Sequence, residues 1–142
     1  MKQIKRYHKN GKLQAQYHVL NGEYHEEYKR WYENGQLNIH SHYVNGQPHG
    51  EYKAWHQNGQ LSTHRHFVDG QLNGEYKRWY DTGQLYIHTN YENSKRHGEY
   101  KWWHDNGELN LATHYVNGKR HGEYKWWYAN GQLYIHTNYE NG

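Results

Sequence analysis

Between recurring glycines, apolar and polar residues of this chain alternate with a period of two. Leu37, Ile39, Ser41 and Tyr43 fall on one side of an extended chain and Asn38, His40, His42 and Val44 on the other; Leu85, Ile87, Thr89 and Tyr91 repeat the first series. That period belongs to β-strands. There is no apolar recurrence at three and four residues, and turn glycines arrive too often for helices of ordinary length. The punctuation is itself periodic. Asn/Thr-Gly-x-Leu occurs six times, 24 residues apart without insertion or deletion, at Gly11, Gly35, Gly59, Gly83, Gly107 and Gly131. A second turn signal, Asn21-Gly22, Asn45-Gly46, Asp69-Gly70, Asn117-Gly118 and Asn141-Gly142, follows each anchor by eleven residues, with Ser94 replacing glycine once. Asn-Gly and Asp-Gly suit the tight hairpin turn, so each unit reads as two antiparallel strands and the whole as about twelve.

The pattern predicts an all-β protein: an elongated, twisted, single-layer antiparallel β-meander of six 24-residue hairpin units. One domain covers residues 1–142, with units at approximately 1–22, 23–46, 47–70, 71–94, 95–118 and 119–142. If Asn34-Gly35 is a two-residue loop, Tyr32 faces Leu37, Arg30 faces Ile39 and Tyr28 faces Ser41. Tyrosines and aliphatics then share one side, opposite Lys29, Trp31, Asn38 and His40. A three-residue loop with a bulge at the glycine would set Trp31 against Leu37 instead. The two-residue version separates apolar from charged positions better and is the one expected here.

Composition alters this picture only by explaining how so polar a chain can fold. Mean hydropathy is −1.52, a value that by itself suggests disorder. Aromatics nevertheless make up 18% of the residues and the formal charge is only +3. Tyr and Trp favour strands and bury large areas while keeping a polar tip, so they can sustain a thin sheet. There is no cysteine, which excludes disulfides and thiolate metal sites. The basic amino terminus lacks the apolar run of a secretion signal and no stretch has membrane-spanning length, so a cytoplasmic or intracellular location is expected and a membrane partner is not.

Candidate chemistry lies in rows. Trp31, Trp55, Trp79, Trp103 and Trp127 stand four residues before their anchors, and Lys29, Lys53, Lys77, Lys101 and Lys125 six before. Two strands per unit put equivalent side chains ~10 Å apart, forming an aromatic and basic ribbon able to meet a long or repetitive partner. Against that reading, the tryptophans can simply shield the backbone, and the lysines can pair with Glu27, Glu51, Glu75, Glu99 and Glu123 two residues earlier. Fifteen histidines raise the question of metal, since His40 with His42 and His64 with His66 share a strand face. The second partner becomes Asn90 and Asn138 in later units and structural zinc takes four ligands, so no metal is expected. Nucleic acid is disfavoured because fourteen acidic residues offset seventeen basic ones. Without cysteine, partnered serines or a phosphate-binding loop, no catalytic residues, cofactor or small-molecule substrate are expected.

Residues 121–133, His-Gly-Glu-Tyr-Lys-Trp-Trp-Tyr-Ala-Asn-Gly-Gln-Leu, and their counterparts resemble MORN repeats, in the variant common in bacterial antitoxin-like proteins and some viral proteins. The resemblance implies an elongated β-meander and roles in protein association or scaffolding, sometimes lipid contact, and in the bacterial variant neutralisation of a toxin. It covers nearly the whole chain and carries over to Tyr28, Trp31, Gly35 and their equivalents. The sequence departs from the classical Tyr-x-Gly-x-Trp motif, because Tyr28-Lys29-Arg30-Trp31 has no intervening glycine. A weaker likeness links the chain to the repeats of cell-wall-binding proteins, which are usually secreted.

The last unit nearly copies the fourth and stops at a turn, while Ile4 and Tyr7 replace the usual Tyr and Trp at the start. Uncovered strand edges offer unpaired amides and carbonyls, so Ile4, Tyr7, Leu133, Ile135 and Tyr139 are the expected edge contacts. The function expected is a non-enzymatic interaction and assembly module that self-associates through sheet edges or an aromatic face. The alternatives are an antitoxin or immunity-type protein binding one folded partner, and a carbohydrate or wall-polymer binder.

Overall fold

The computed structural model describes residues 1–142, and they form one open sheet of twelve antiparallel strands in sequence order. The strands are β1 (Lys2–Tyr7), β2 (Leu13–Leu20), β3 (Glu23–Trp31), β4 (Leu37–Val44), β5 (Gln47–Trp55) and β6 (Leu61–Val68). They continue with β7 (Gln71–Trp79), β8 (Leu85–Glu92), β9 (Lys95–Trp103), β10 (Leu109–Val116), β11 (Lys119–Trp127) and β12 (Leu133–Tyr139). The period-two pattern and the 24-residue repeat therefore appear as strands and hairpins throughout.

The two turn signals build different turns. At Asn45-Gly46 both residues have positive φ, 49° and 76°, and Val44 faces Gln47, which is the two-residue turn expected from Asn-Gly. The same geometry holds Asn93 and Ser94 at 47° and 64°, so serine adopts the left-handed conformation that glycine occupies in the other units. The anchors behave otherwise. Gly35 N–H donates to the Tyr32 carbonyl at 2.9 Å and Tyr32 N–H to the Gln36 carbonyl at 2.9 Å, enclosing Glu33-Asn34-Gly35. The Asn34 carboxamide oxygen accepts from Gln36 N–H at 2.9 Å. This is a three-residue loop with glycine, φ 90°, at its left-handed position.

The expected two-residue anchor loop, with Tyr32 facing Leu37, is thus corrected: Trp31 faces Leu37. Yet Arg30 still faces Ile39 and Tyr28 still faces Ser41, because a second irregularity between Arg30 and Trp31 restores the register. Asn38 is the extra residue of that bulge. Its equivalent Tyr86 packs its ring 5.8 Å from Trp102, which lies opposite Ile87, so the bulge brings this position to the aliphatic side instead of the opposite one. Leu37 in turn joins the tryptophan.

A further bulge lies between hairpins. Ser41 faces Tyr52 but Tyr43 faces Pro48, leaving His49, Gly50 and Glu51 opposite His42 alone. Gly50, Gly74, Gly98 and Gly122 sit at the kink with φ between 80° and 99°, and Glu26 occupies it in β3 at 63°. An L side chain in this conformation costs roughly 1–2 kcal/mol.

Only eight of 142 residues are buried, four of them apolar: Ala15, Tyr17, Tyr100 and Tyr115. So thin a core cannot hold the fold by apolar burial. The backbone ladder, with 72 of 89 main-chain hydrogen bonds within strands, carries it together with cross-strand side-chain pairs.

The kink supplies a backbone test without side-chain ambiguity. Glu26→Gly should raise folding stability by about 1 kcal/mol, and Gly98→Ala, whose new Cβ would meet nothing within 4 Å, should lower it by a similar amount. Urea unfolding of both variants measures these opposite shifts.

Candidate interaction faces

Alternation along each strand gives the sheet two unlike faces. On the first, tyrosines meet across four of the six hairpins: Tyr28 and Tyr43 lie 6.0 Å apart between ring centroids, Tyr76 and Tyr91 5.6 Å, Tyr100 and Tyr115 5.9 Å, and Tyr124 and Tyr139 5.7 Å. Tyr52 pairs likewise with Phe67 at 6.5 Å. Small residues sit opposite the first ring of each Tyr–Tyr pair; Ser41 and Thr89 are each only 2% exposed. Burial raises the pKa of Tyr28 and Tyr100.

All six arginines of the chain gather on this face. Arg6 lies over Tyr17, Arg78 over Tyr86, Arg96 over Tyr100 and Tyr115, and Arg120 over Tyr124 and Tyr139. Arg30 lines a hollow with Tyr17, Tyr24 and Tyr28. In β6 the arrangement is swapped, with Arg65 at the small-residue position, 4.2 Å above Tyr52, and Leu72 where the next two units have Arg96 and Arg120. The cation changes position but keeps the same ring pair. Burial alone would lower the pKa of Arg96, but bonds to the Tyr91 and Tyr115 hydroxyls outweigh it and stabilise the guanidinium. Among acidic residues within strands, only Glu26 takes a position on this side.

The opposite face carries the tryptophan and lysine rows named from the sequence. Each lysine is committed to a glutamate two residues earlier: Lys29–Glu27 at 2.7 Å, Lys53–Glu51 at 3.5 Å, Lys77–Glu75 at 3.4 Å, Lys101–Glu99 at 3.7 Å and Lys125–Glu123 at 3.3 Å. Four of these carboxylates also meet a cross-strand histidine, as His40–Glu27 at 2.9 Å and His64–Glu51 at 3.3 Å, with His88 and His136 repeating the contact. Ala112 breaks the row, facing Lys101. The pKa of Glu27 is lowered first by its bond to Lys29, and those of Glu51 and Glu75 by the charges of Lys53 and Lys77. Trp31, Trp55, Trp79, Trp103 and Trp127 are all half-buried, and Trp31, Trp55, Trp79 and Trp103 face leucines of the following strand as Trp127 faces Leu133. Ring, ammonium and imidazole groups thus share this face, and the ammonium charges of the row are already paired.

Neighbouring units are stitched along the anchor-turn side. Tyr32 and Tyr80 hydroxyls donate to the carbonyls of Trp55 and Trp103 at 2.7 and 3.0 Å. His8, His56 and His104 Nε2 reach those of Trp31, Trp79 and Trp127 at 2.9 to 3.1 Å. At the last hairpin the corresponding rings are open, with Tyr128 and Tyr134 50% and 52% exposed. Of the edge residues, Tyr7 and Leu133 are exposed, while Ile4, Ile135 and Tyr139 are half-buried.

The sequence reading missed the arginine face, because a net charge counts arginines and glutamates together regardless of side. It also missed Gly50, Gly74, Gly98 and Gly122 as kinks; their recurrence every 24 residues was the available signal.

An uncovered β-meander with ring-bearing and charge-paired faces defines the molecule as an open, repeat-built all-β sheet. The model of the MORN repeat variant matches residues 3–21, 27–45, 48–69, 72–93, 96–117 and 120–141, and the chain belongs to that family. MORN repeats are generally protein- or membrane-binding modules, and the family is a non-enzymatic repeat module. A comparison with curated proteins found no significant match. No helix is long and apolar enough to cross a membrane.

Acid should weaken the fold in two ranges. Burial, outweighing the bond to Glu27, sets the folded pKa of His40 below its ordinary 6.5. Its contribution is complete above 6.5 and is lost as pH falls through the folded value. Glu27, Glu51 and Glu75, held below 4.5, act in the same sense lower down. Urea midpoints measured from about pH 8 to about pH 3 should fall twice, and His40→Gln should remove the upper step.

Proposed function

We propose that the chain is a non-enzymatic protein-binding module whose working surface is the tyrosine and arginine face, and that its partner is a folded protein presenting carboxylates. The observation that supports this is the gathering of all six arginines on a side with one strand carboxylate, five of them over tyrosine or phenylalanine rings and Arg30 beside Tyr17, Tyr24 and Tyr28. Tyr, Trp and Arg are the residues that concentrate binding energy at protein interfaces. A row of guanidiniums held by rings has little freedom left to lose on binding, which favours affinity. The lysine and tryptophan ribbon is the weaker candidate, since each of its cations already has a carboxylate at hand. An immunity-type role, neutralising one acidic partner, is the form of this reading closest to the bacterial variant of the family.

Copurification from the native cell followed by paired charge reversals tests it. Arg30→Glu with Arg78→Glu should reduce capture of a stoichiometric partner about tenfold or more. Lys53→Glu with Lys101→Glu should leave it nearly unchanged; the reverse pattern would discard the arginine face.

A second reading, in-line self-association through the sheet edges, is favoured by the open rings of Tyr128 and Tyr134, whose internal counterparts Tyr80 and Tyr86 are covered by the following unit. Extending the observed register by one period sets Ile135 opposite Arg6, His136 opposite Lys5 and Thr137 opposite Ile4 of a second copy. The Tyr128 hydroxyl would then reach the Tyr7 carbonyl. Because the chain has no cysteine, Ile4→Cys with Thr137→Cys should give a ladder of disulfide-linked oligomers on mild oxidation. A strict monomer by light scattering at high concentration, with no ladder, removes this reading.

A further inference from the structure

On the charge-paired face, Glu27, His40 and His42 bring one ligand atom each within 4.8 Å of one another. The fold produces this cluster by register: Glu27 on β3 faces His42 on β4, and Lys29 faces His40. The two histidines, two residues apart on one strand, project to the same side with ring centroids 5.1 Å apart. We infer that Glu27, His40 and His42 form a binding site for a divalent transition-metal ion of the zinc or nickel type. Two imidazoles and a carboxylate match the preferences of these ions and not those of calcium or magnesium. Three protein ligands leave a coordination position open to water, the pattern of an accessible site and not of a closed structural one. Small side-chain rotations suffice to bring donors separated by this distance onto one ion with bonds of about 2.0–2.2 Å.

Repetition shows why the cluster is single. One period later Glu51 and His64 are again paired, but His66 turns its Nδ1 toward the Asn73 carbonyl at 3.2 Å. The second histidine then becomes Asn90 and Asn138, and Ala112 replaces the first in the fifth unit. Lys29 competes for the same carboxylate, 2.7 Å from Glu27 Oε1. Its ammonium must give way when the metal enters, and affinity is set partly by that exchange.

Titration of the tag-free 142-residue chain with zinc chloride, and separately with nickel chloride, by calorimetry near neutral pH tests the site. One equivalent is expected to bind more tightly than any uptake by the remaining histidines. His42→Asn, which installs the residue that the fold accepts at positions 90 and 138, should weaken binding by at least the roughly tenfold that outer-shell changes cost. His66→Asn should leave it unchanged and Lys29→Gln should tighten it. Circular dichroism confirms that each variant keeps its strands. Equal losses in the His42 and His66 variants, or uptake of several equivalents indifferent to His42→Asn, would overturn the assignment.

Discussion

A sheet one layer thick must protect its own hydrogen bonds, and that constraint governs the rest of this molecule. Solvent lies against both sides, so each main-chain bond competes with water unless neighbouring side chains lie across it. Paired tyrosines do this on one face, and tryptophan with leucine on the other. Both kinds of pairing require large side chains to meet in fixed cross-strand positions, which is why register matters here more than apolar content. Mean hydropathy of −1.52 is compatible with order because the relevant quantity is ring area across the ladder and not the volume of a core.

The bulges are how register is kept. Each anchor hairpin would be displaced by one residue through its three-residue loop, and the extra residue at position 38 and its equivalents cancels the displacement within two positions of the turn. Beyond it, Arg30 meets Ile39 and Tyr28 meets Ser41 as in a plain hairpin. The second bulge, kinked at Gly50 and its counterparts, removes two residues from the pairing between hairpins. Beyond the turn, side allocation survives the first because the added residue cancels the offset of the loop, and survives the second because a shift of two leaves the alternation of faces intact.

Much of this was legible in the chain. Asn45-Gly46 announced its turn because both residues readily take positive φ, and the alternation through Ile39, Ser41 and Tyr43 placed the tyrosines correctly. The anchor loop was misjudged because Asn34-Gly35 has the same letters as Asn45-Gly46, while the structure holds Gly35 alone in the left-handed region and uses the Asn34 side chain to fix the turn. Leu37 and Asn38 were then assigned to the wrong sides, since strict alternation cannot register an added residue. Ion pairing of the lysine row with Glu27 and its counterparts followed directly from a spacing of two. The arginines were not legible as a group: Arg30, Arg65 and Arg96 occupy three different places in the unit, and only the folded register shows that all three places open onto the ring pairs.

Because both bulges recur in every unit, the two faces keep their identity however many units are joined. Length thereby becomes independent of surface chemistry. Such a molecule behaves as a ruler whose graduations, roughly 10 Å apart, are fixed by the separation of strands and not by any side chain. A binding partner with its own regular spacing would be measured against that scale, matching over several graduations or drifting out of step after one.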